Sequence, residues 1–175
     1  EHAATFTSEN NNLIIMNNVT FSGRVEQIAM GEYRDKGNYV AFRNEMNNVV
    51  AENMVVTHPV GIANVETVDY MAPLFFLRGV TTLNNCKITG TTSVAPQKKD
   101  YNGTLHDVMP YDCGVPNGCE AIFNNCEIDK LYAWSHSQIT LKDTKMKYIR
   151  CSTHHNSEPK AHLTIDDGSV VDEIV

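Results

Sequence analysis

Two carboxylates occupy matching places in two similar stretches of the sequence, Asp143 within residues 141–146 and Asp167 within residues 165–170. If these stretches lie side by side, the carboxyl groups are about 5 Å apart, the separation found in retaining glycosidases. The alternative is that each residue only turns a corner of the chain and keeps its carboxylate in solvent. One pair falls short of the about six to eight oxygens that Ca²⁺ prefers, so no metal site is predicted here.

An aromatic segment at residues 131–136 offers a different chemistry. If this segment is a strand with Leu131 facing the core, alternation puts three ring-bearing side chains on the opposite face, Tyr132, Trp134 and His136. Such a face would serve as a platform for stacking sugar rings or as a subunit contact. The alternatives are that the phase is reversed or that a loop covers the rings. The longest polar insertion adds two further candidate ligand-binding residues, Tyr101 and Tyr111.

The five cysteines are odd in number and have neither the density of a disulfide framework nor tandem zinc-binding spacing. Cys113 and Cys119 flank a turn-rich stretch and would close a small disulfide loop if the protein is extracellular. Cys86 and Cys126 follow the same Asn-Asn pair in two similar stretches. We interpret them as two small thiols buried next to each other in the core.

These candidates are positioned by a six-residue phrase: an apolar residue, two polar turn residues, a small or apolar residue, any residue, and usually an apolar one. Six copies begin at Met16, Met46, Leu83, Phe123, Leu141 and Ile165. Asn and Asp tolerate the left-handed backbone conformation, so each copy predicts a strand, a sharp corner and a second strand. The last two spacings, 18 and 24 residues, are about one solenoid turn each. The polar stretches 24–38 and 91–118 predict loops.

In-register stacking of the copies predicts rows of equivalent side chains. One row is an asparagine ladder with amides hydrogen-bonded along the stack, formed by Asn18, Asn48, Asn85 and Asn125. A second row alternates in charge on the outer face, formed by Lys87, Glu127 and Lys145.

The six copies, together with residues 163–170, resemble the rungs of pectin-lyase-like right-handed parallel β-helix proteins. That group includes polysaccharide lyases, glycoside hydrolases, bacterial surface proteins, and the spikes and fibres of bacteriophages. The resemblance covers residues 13–175 and concerns architecture, so it specifies no activity. It implies an all-β, right-handed parallel β-helix with inserted loops, forming a single domain over residues 1–175.

Composition narrows the classes of partner. The net charge of −7 and the scattered Lys and Arg residues argue against a nucleic-acid groove, which needs clustered positive charge. No apolar run approaches the about 20 residues of a membrane span, and no cofactor is predicted. The chain begins at Glu1 without a signal-peptide pattern and ends in a predicted strand without a polar cap. We therefore expect a processed form or a piece of a larger protein.

The leading functional hypothesis is a non-enzymatic structural and attachment module, extracellular, at a cell surface or in a virion. It would be a homotrimer that displays loops, chiefly residues 91–118, to a glycan or protein surface. The first alternative is a polysaccharide lyase or glycoside hydrolase that uses Asp143 with Asp167, or Asp107 with Asp112. The second alternative is a purely architectural virion or envelope subunit. An exposed Trp134 would favour glycan binding, and a Trp134 buried on assembly would favour the architectural subunit.

Overall fold

The chain is all-β in a computed structural model that describes residues 4–6, 13–31, 43–57, 60–63, 68–94, 97–100, 102–153 and 159–175. Within these ranges, twenty-one strands and no helix occur. The strands form three sheets in which most neighbouring strands run parallel. The all-β prediction is confirmed, and so is the parallel pairing of the repeated copies.

Six strands that begin the repeated copies form one parallel sheet, the six-stranded sheet. Its members, in spatial order, are β2 (Leu13–Asn17), β6 (Arg43–Asn47), β11 (Val80–Asn84), β16 (Glu120–Asn124), β18 (Gln138–Lys142) and β20 (His162–Ile165). Their registers align the first residue of every copy, Met16, Met46, Leu83, Phe123, Leu141 and Ile165. The predicted alignment of the repeats is therefore confirmed on this side of the corner.

The strands that follow the corners belong to a larger sheet, the long sheet. They are β3 (Thr20–Phe21), β7 (Val50–Glu52), β12 (Lys87–Thr89), β17 (Glu127–Ala133), β19 (Lys145–Cys151) and β21 (Val170–Ile174). Lys87, Glu127 and Lys145 are register partners, as predicted.

The same sheet contains strands outside the repeated phrase. Three of them run parallel to their partners, β1 (Ala4–Phe6), β5 (Ile28–Met30) and β15 (Leu105–Val115). The ten-residue β10 (Val68–Leu77) lies between β5 and β15. Two further strands of the long sheet pair antiparallel with their neighbours: β9 (Val60–Ala63) pairs with β10, and β14 (Gln97–Lys99) pairs with β15. A small third sheet contains β4 (Arg24–Val25), β8 (Val55–Val56) and β13 (Thr92–Ser93).

Two stretches predicted as loops contain strands instead. Residues 24–38 include β4 and β5, and residues 91–118 include β13, β14 and the eleven-residue β15. The prediction was wrong because the sequence of β15 lacks clear alternation and contains a proline and a glycine. Its strand conformation comes from pairing with β10 on one side and β17 on the other, both distant in sequence.

The corners have the backbone conformation that the asparagines predicted. Five residues at this position have positive φ: Asn18 (54°), Asn48 (52°), Asn85 (53°), Asn125 (50°) and Asp143 (48°). The asparagine amides form two bonds of the predicted ladder: Asn48 donates to Asn18 at 2.9 Å and Asn125 donates to Asn85 at 2.7 Å. Asn combines a tolerated left-handed backbone with a self-complementary amide, so it suits a stacked corner.

A second asparagine ladder lies one residue earlier, at the ends of the strands of the six-stranded sheet. Asn47 donates to Asn17, Asn84 to Asn47 and Asn124 to Asn84, each at 2.8 Å. The sequence analysis missed this row, although the repeated Asn-Asn pair contained the signal for it.

The last corner has one residue more than the others. Leu141 pairs with Ile165 and Lys145 with Val170. Four residues therefore lie between Ile165 and Val170, whereas three lie between Leu141 and Lys145. A Cβ on Gly168 would collide with the Asp143 carboxylate, which places Gly168 opposite Asp143. The predicted equivalence of Asp143 and Asp167 is therefore wrong by one residue, and Asp167 is the additional residue of the turn.

The core lies between the sheets and is filled by the inward side chains of alternating strands. Strands β11 and β16 both alternate partly exposed with buried positions, and Leu83 and Phe123 are fully buried. The inner side of the corners contributes a row of small side chains, Val49, Cys86, Cys126 and Thr144. Cys86 and Cys126 are thus neighbouring buried thiols, as interpreted from the sequence.

Candidate functional site

The predicted aromatic segment lies on the long sheet, and the alternation of its side chains has the predicted phase. Leu131 and Ala133 pack in the main core, whereas Tyr132 and Trp134 belong to a separate aromatic cluster on the opposite face. These rings are nevertheless not exposed: Tyr132 is 1% and Trp134 is 7% accessible. The expected open stacking platform at Trp134 is therefore absent, because strands from elsewhere in the chain cover it.

The cover comes from β10 and β15, together with Tyr132 of β17. Phe76 meets the Trp134 ring edge-on at 5.4 Å between centroids, and Tyr132 meets it at 4.6 Å. Gly114 lies beneath this contact, since a Cβ there would approach Pro73 at 3.1 Å and Trp134 at 3.2 Å. Trp134 is therefore a packing residue within a single chain. Its burial does not distinguish a glycan-binding module from an architectural subunit.

Beside the aromatic cluster lies a cleft of about 220 Å³, the candidate cleft. Its lining combines apolar, aromatic and charged side chains: Tyr70, Met71, His106, Asp107, Met109, Tyr111, Tyr132 and Arg150. Tyr111 and Tyr132, both predicted as ligand-binding residues, meet here edge-on at 5.1 Å. The structure thus brings two of the five predicted residues together.

One wall of the cleft is the hairpin formed by β14 and the first half of β15. Lys98 pairs with His106 in its register, and the Lys98 ammonium lies 5.3 Å from the centre of the Tyr70 ring. The Tyr70 and His106 rings are 5.6 Å apart. These contacts orient two ring side chains of the wall, as a cation over an aromatic face does.

Asp100 holds the tip of this hairpin. Its carboxylate accepts hydrogen bonds from the backbone N–H groups of Asn102 at 2.8 Å and Thr104 at 2.9 Å. The other carboxylate oxygen lies 3.0 Å from His106 Nε2. The contact with His106 and these N–H groups lower the pKa of Asp100. Asp100 therefore fixes both the turn and the orientation of the imidazole at the cleft.

The cleft offers both apolar surface and hydrogen-bonding groups. Met109 and Tyr70 provide the accessible apolar surface, because Met71, Tyr111 and Tyr132 are each only 1% accessible and form the base. His106, Asp107 and Arg150 provide donors and acceptors for hydroxyl or carboxylate groups.

Arg150, Tyr70 and His106 were not identified from the sequence. The position of Arg150 could have been predicted from the repeat. It lies 18 residues after Tyr132, which is the spacing of those two repeats, and it is the register partner of Tyr132. Tyr70 and His106 lie in segments between the repeated copies, where the repeat predicts no register.

The remaining predicted ligand-binding residues lie elsewhere. His136 is exposed in a turn with φ of 57° and is absent from the cleft lining. Tyr101 lies outside the described residues.

The predicted catalytic carboxylates do not form a catalytic arrangement. Asp143 and Asp167 are both exposed, and the carboxylate that contacts the Asp143 backbone is that of Asp166. The Ser169 hydroxyl donates to Asp166 at 2.6 Å, and this bond is the main cause of the lowered pKa of Asp166. These contacts hold the turn at the last corner. Within the described ranges, no group of three or more His, Cys, Asp or Glu side chains could hold a metal ion.

Asp112 lies buried behind the cleft and serves a structural purpose. One carboxylate oxygen accepts hydrogen bonds from the Thr91 hydroxyl at 2.5 Å and the Thr91 N–H at 3.2 Å. The other accepts the backbone N–H of Lys130 at 2.7 Å. Burial raises its pKa. All of these contacts are to protein donors, so the expected catalytic pairing of Asp107 with Asp112 is not supported.

The disulfide considered between Cys113 and Cys119 is not formed. Both residues are buried free thiols. Cys113 belongs to the main core, whereas Cys119 Sγ accepts a hydrogen bond from the Gly79 N–H at 3.3 Å. Burial raises the pKa of Cys113 far above its ordinary value and that of Cys119 to about 11, so neither is an activated thiol.

Comparison with known proteins supplies no relative. No protein-family model matches the chain, and no curated protein or solved structure shows significant similarity to it. In the described part of the chain, no helix is long and apolar enough to cross a membrane.

Proposed function

We propose that the three sheets are the faces of a single right-handed parallel β-helix. The chain passes from the six-stranded sheet through a corner to the long sheet in each repeat, for example from β16 to β17 and from β18 to β19. Strands one repeat apart then pair in parallel with constant register. This is the pairing of a solenoid, and right-handed crossovers are the rule for parallel strands.

We propose further that the protein is a non-enzymatic attachment module that binds a glycan in the candidate cleft. The observation that carries this proposal is the cleft itself. It lies on the outer face of the long sheet, with buried tyrosines at its base and Tyr70, His106 and Arg150 among its lining. A rigid sheet under a wall built from an inserted hairpin is a common arrangement of binding sites.

The setting proposed for this module is extracellular, at a cell surface or in a virion, with a homotrimer as the assembly. Apolar side chains exposed on β2 and β21 are surfaces that neighbouring copies would cover, among them Leu13 (56%), Ile15 (50%) and Val170 (54%). Light scattering on the purified chain measures the mass of the assembly. A monomeric mass at all concentrations would contradict the trimer.

The glycan proposal is tested on an array of neutral and uronic-acid-containing oligosaccharides, followed by calorimetry with the strongest binder. We expect Tyr70→Ala and Arg150→Gln each to weaken binding about tenfold or more. His136→Ala is the matched control, because His136 is exposed outside the cleft and its loss should leave affinity unchanged. Equal affinity in all four proteins would contradict the proposal.

A second candidate function is cleavage of the same glycan, as a polysaccharide lyase or glycoside hydrolase. The observation that favours it is the His106 imidazole, held by Asp100 next to Asp107 at the cleft, since an oriented imidazole is the commonest general acid or base. Release of reducing ends from the bound glycan, abolished in His106→Ala, would establish it. Binding without release would leave the attachment module as the function.

A further inference from the structure

Two of the five cysteines lie side by side at the same corner position of neighbouring copies. The residues flanking them are register partners, Asn84 with Asn124 and Lys87 with Glu127. The Glu127 N–H donates to the Cys86 carbonyl at 2.9 Å, which ties the two corners together directly. Neighbouring strands are about 4.8 Å apart, within the range of about 4.4 to 6.8 Å between Cα atoms joined by disulfides.

The thiols serve a modest structural purpose that a hydroxyl serves equally well. Cys86 Sγ donates to the Met46 carbonyl at 3.3 Å, and Cys126 Sγ donates to the Leu83 carbonyl at 3.4 Å. Thr144, at the same position of the next corner, donates its hydroxyl to the Phe123 carbonyl at 3.1 Å. Val49 fills the same position at the preceding corner, so the corner needs a small side chain and requires neither sulfur nor a donor.

The position of this pair distinguishes it from the other buried thiols. Cys86 and Cys126 are 2% and 4% accessible, and both line a groove of about 270 Å³ on the surface. Two ammonium groups, of Lys87 and Lys145, and two carboxylates, of Glu127 and Asp143, line the same groove. Cys113, in contrast, is fully buried in the core. A small polar oxidant can therefore approach the pair at the corner.

The two thiols also differ in acidity. When Cys86 is a thiolate, the Cys126 thiol can donate its hydrogen to Cys86 in place of the Leu83 carbonyl. This interaction lowers the pKa of Cys86, and the same interaction together with burial raises the pKa of Cys126. The thiolate is the reactive form of cysteine. Cys86 is therefore the nucleophile of the pair, and Cys126 is the resolving cysteine that reacts with oxidised Cys86.

We propose that Cys86 and Cys126 form a redox-active pair that a peroxide converts into a disulfide across the two neighbouring strands. The Cys86 thiolate attacks one oxygen of the peroxide, the O–O bond breaks, and Cys86 becomes a sulfenic acid while the other oxygen leaves as water. Cys126 sulfur then attacks Cys86 sulfur and displaces the hydroxyl as a second water. Two thiols and one hydrogen peroxide thus give one disulfide and two waters.

The bridge would close a covalent loop from residue 86 to residue 126. That loop contains β14 and β15, the hairpin that forms one wall of the candidate cleft. Oxidation would therefore link covalently the two corners that precede and follow this hairpin in the chain. The inference itself stands on the two corners and does not depend on what the cleft binds.

The test treats the folded Cys151→Ser protein with hydrogen peroxide, since Cys151 is the most accessible of the five thiols and would react separately. We expect loss of two of the four remaining thiols on titration after unfolding. Peptide mapping should show the 86–126 disulfide, and dithiothreitol should restore both thiols. Four retained thiols, or a bridge involving Cys113 or Cys119, would overturn the proposal.

Two matched variants assign the roles and keep a small hydroxyl side chain at the corner. In Cys126→Thr, Cys86 should accumulate as a sulfenic acid that dimedone traps, with no disulfide. In Cys86→Ser, Cys126 should be labelled about tenfold more slowly than Cys86 is in Cys126→Thr, because burial still disfavours the Cys126 thiolate. Equal labelling of the two single cysteines would contradict the assignment of Cys86 as the nucleophile. Unchanged circular dichroism of both variants is the control for folding.

Discussion

The carboxylate of Asp112 accepts the backbone N–H of Lys130 at 2.7 Å. This bond joins β15, which contains Asp112, to β17, which contains Lys130. In β17, Glu127 and Ile128 pair with β12, and Leu131 to Ala133 pair with β15. In the preceding repeat, β13 and β14 lie between the corresponding strands β12 and β15. Asp112 connects the two ends of this insertion, because its other carboxylate oxygen accepts hydrogen bonds from Thr91, just before β13.

Replacing Asp112 with Asn should destabilise the protein by about 1 to 3 kcal/mol, because the amide keeps one acceptor oxygen and its NH₂ group then faces the N–H of either Thr91 or Lys130. Urea unfolding followed by circular dichroism measures the loss. Thr91→Val is the matched control, since it removes only the hydroxyl donor and should cost about 1 kcal/mol. Equal stability of Asp112→Asn and the wild type would contradict this connecting role of Asp112.

The same residue predicts a pH dependence. Burial raises the pKa of Asp112, so the folded chain binds this proton more tightly than the unfolded chain. Its contribution is present in full below the unfolded pKa, about 3.9, and is lost as pH rises through the higher folded pKa. We expect the wild-type free energy of unfolding to fall relative to that of Asp112→Asn as pH rises above about 4 and through the raised pKa of folded Asp112. Parallel pH profiles of the two proteins would show that Asp112 does not titrate in this way.

The corner asparagines contribute both a backbone conformation and a ladder bond. Asn125→Leu should cost about 1 to 3 kcal/mol, because Leu is strained at a φ of 50° and cannot bond to Asn85. Asn125→Gly keeps the backbone conformation and removes only the amide, so it should cost less than half as much. Thermal and urea unfolding compare the two. An Asn125→Gly variant as unstable as Asn125→Leu would assign the effect to the ladder alone.

Gly114 supports the aromatic cluster by having no side chain. Gly114→Ala should destabilise the protein by about 1 to 3 kcal/mol, because the new methyl group overpacks Pro73 and Trp134. It should also shift the emission of Trp134, the only tryptophan in the chain. Gly103→Ala is the control: it strains a backbone with φ of 84°, but nothing lies within 4 Å of its Cβ. Its emission spectrum should match that of the wild type, and an unshifted Gly114→Ala spectrum would contradict the contact.

The sequence alone determined the repeat, the corners and, except after the last corner, the register of the strands on either side of them. It could do so because these features are local: Asn tolerates positive φ, and alternation of period two decides which face each side chain joins. That is why the stacked Asn125 and Asn85, the neighbouring Cys86 and Cys126, and the opposite faces of Leu131 and Tyr132 were all predictable.

Only the tertiary structure decided what covers each face and what meets at the cleft. Trp134 is on the predicted side of its strand, yet Phe76 and Tyr132 bury it, and the partner strands come from segments that the repeat does not align. The extra residue at Asp167 likewise moved a predicted carboxylate out of register. Which side chains are covered, and which side chains meet at the cleft, depend on the lengths of the insertions and on the strands with which they pair. These are long-range contacts, and a periodic local pattern carries no information about them.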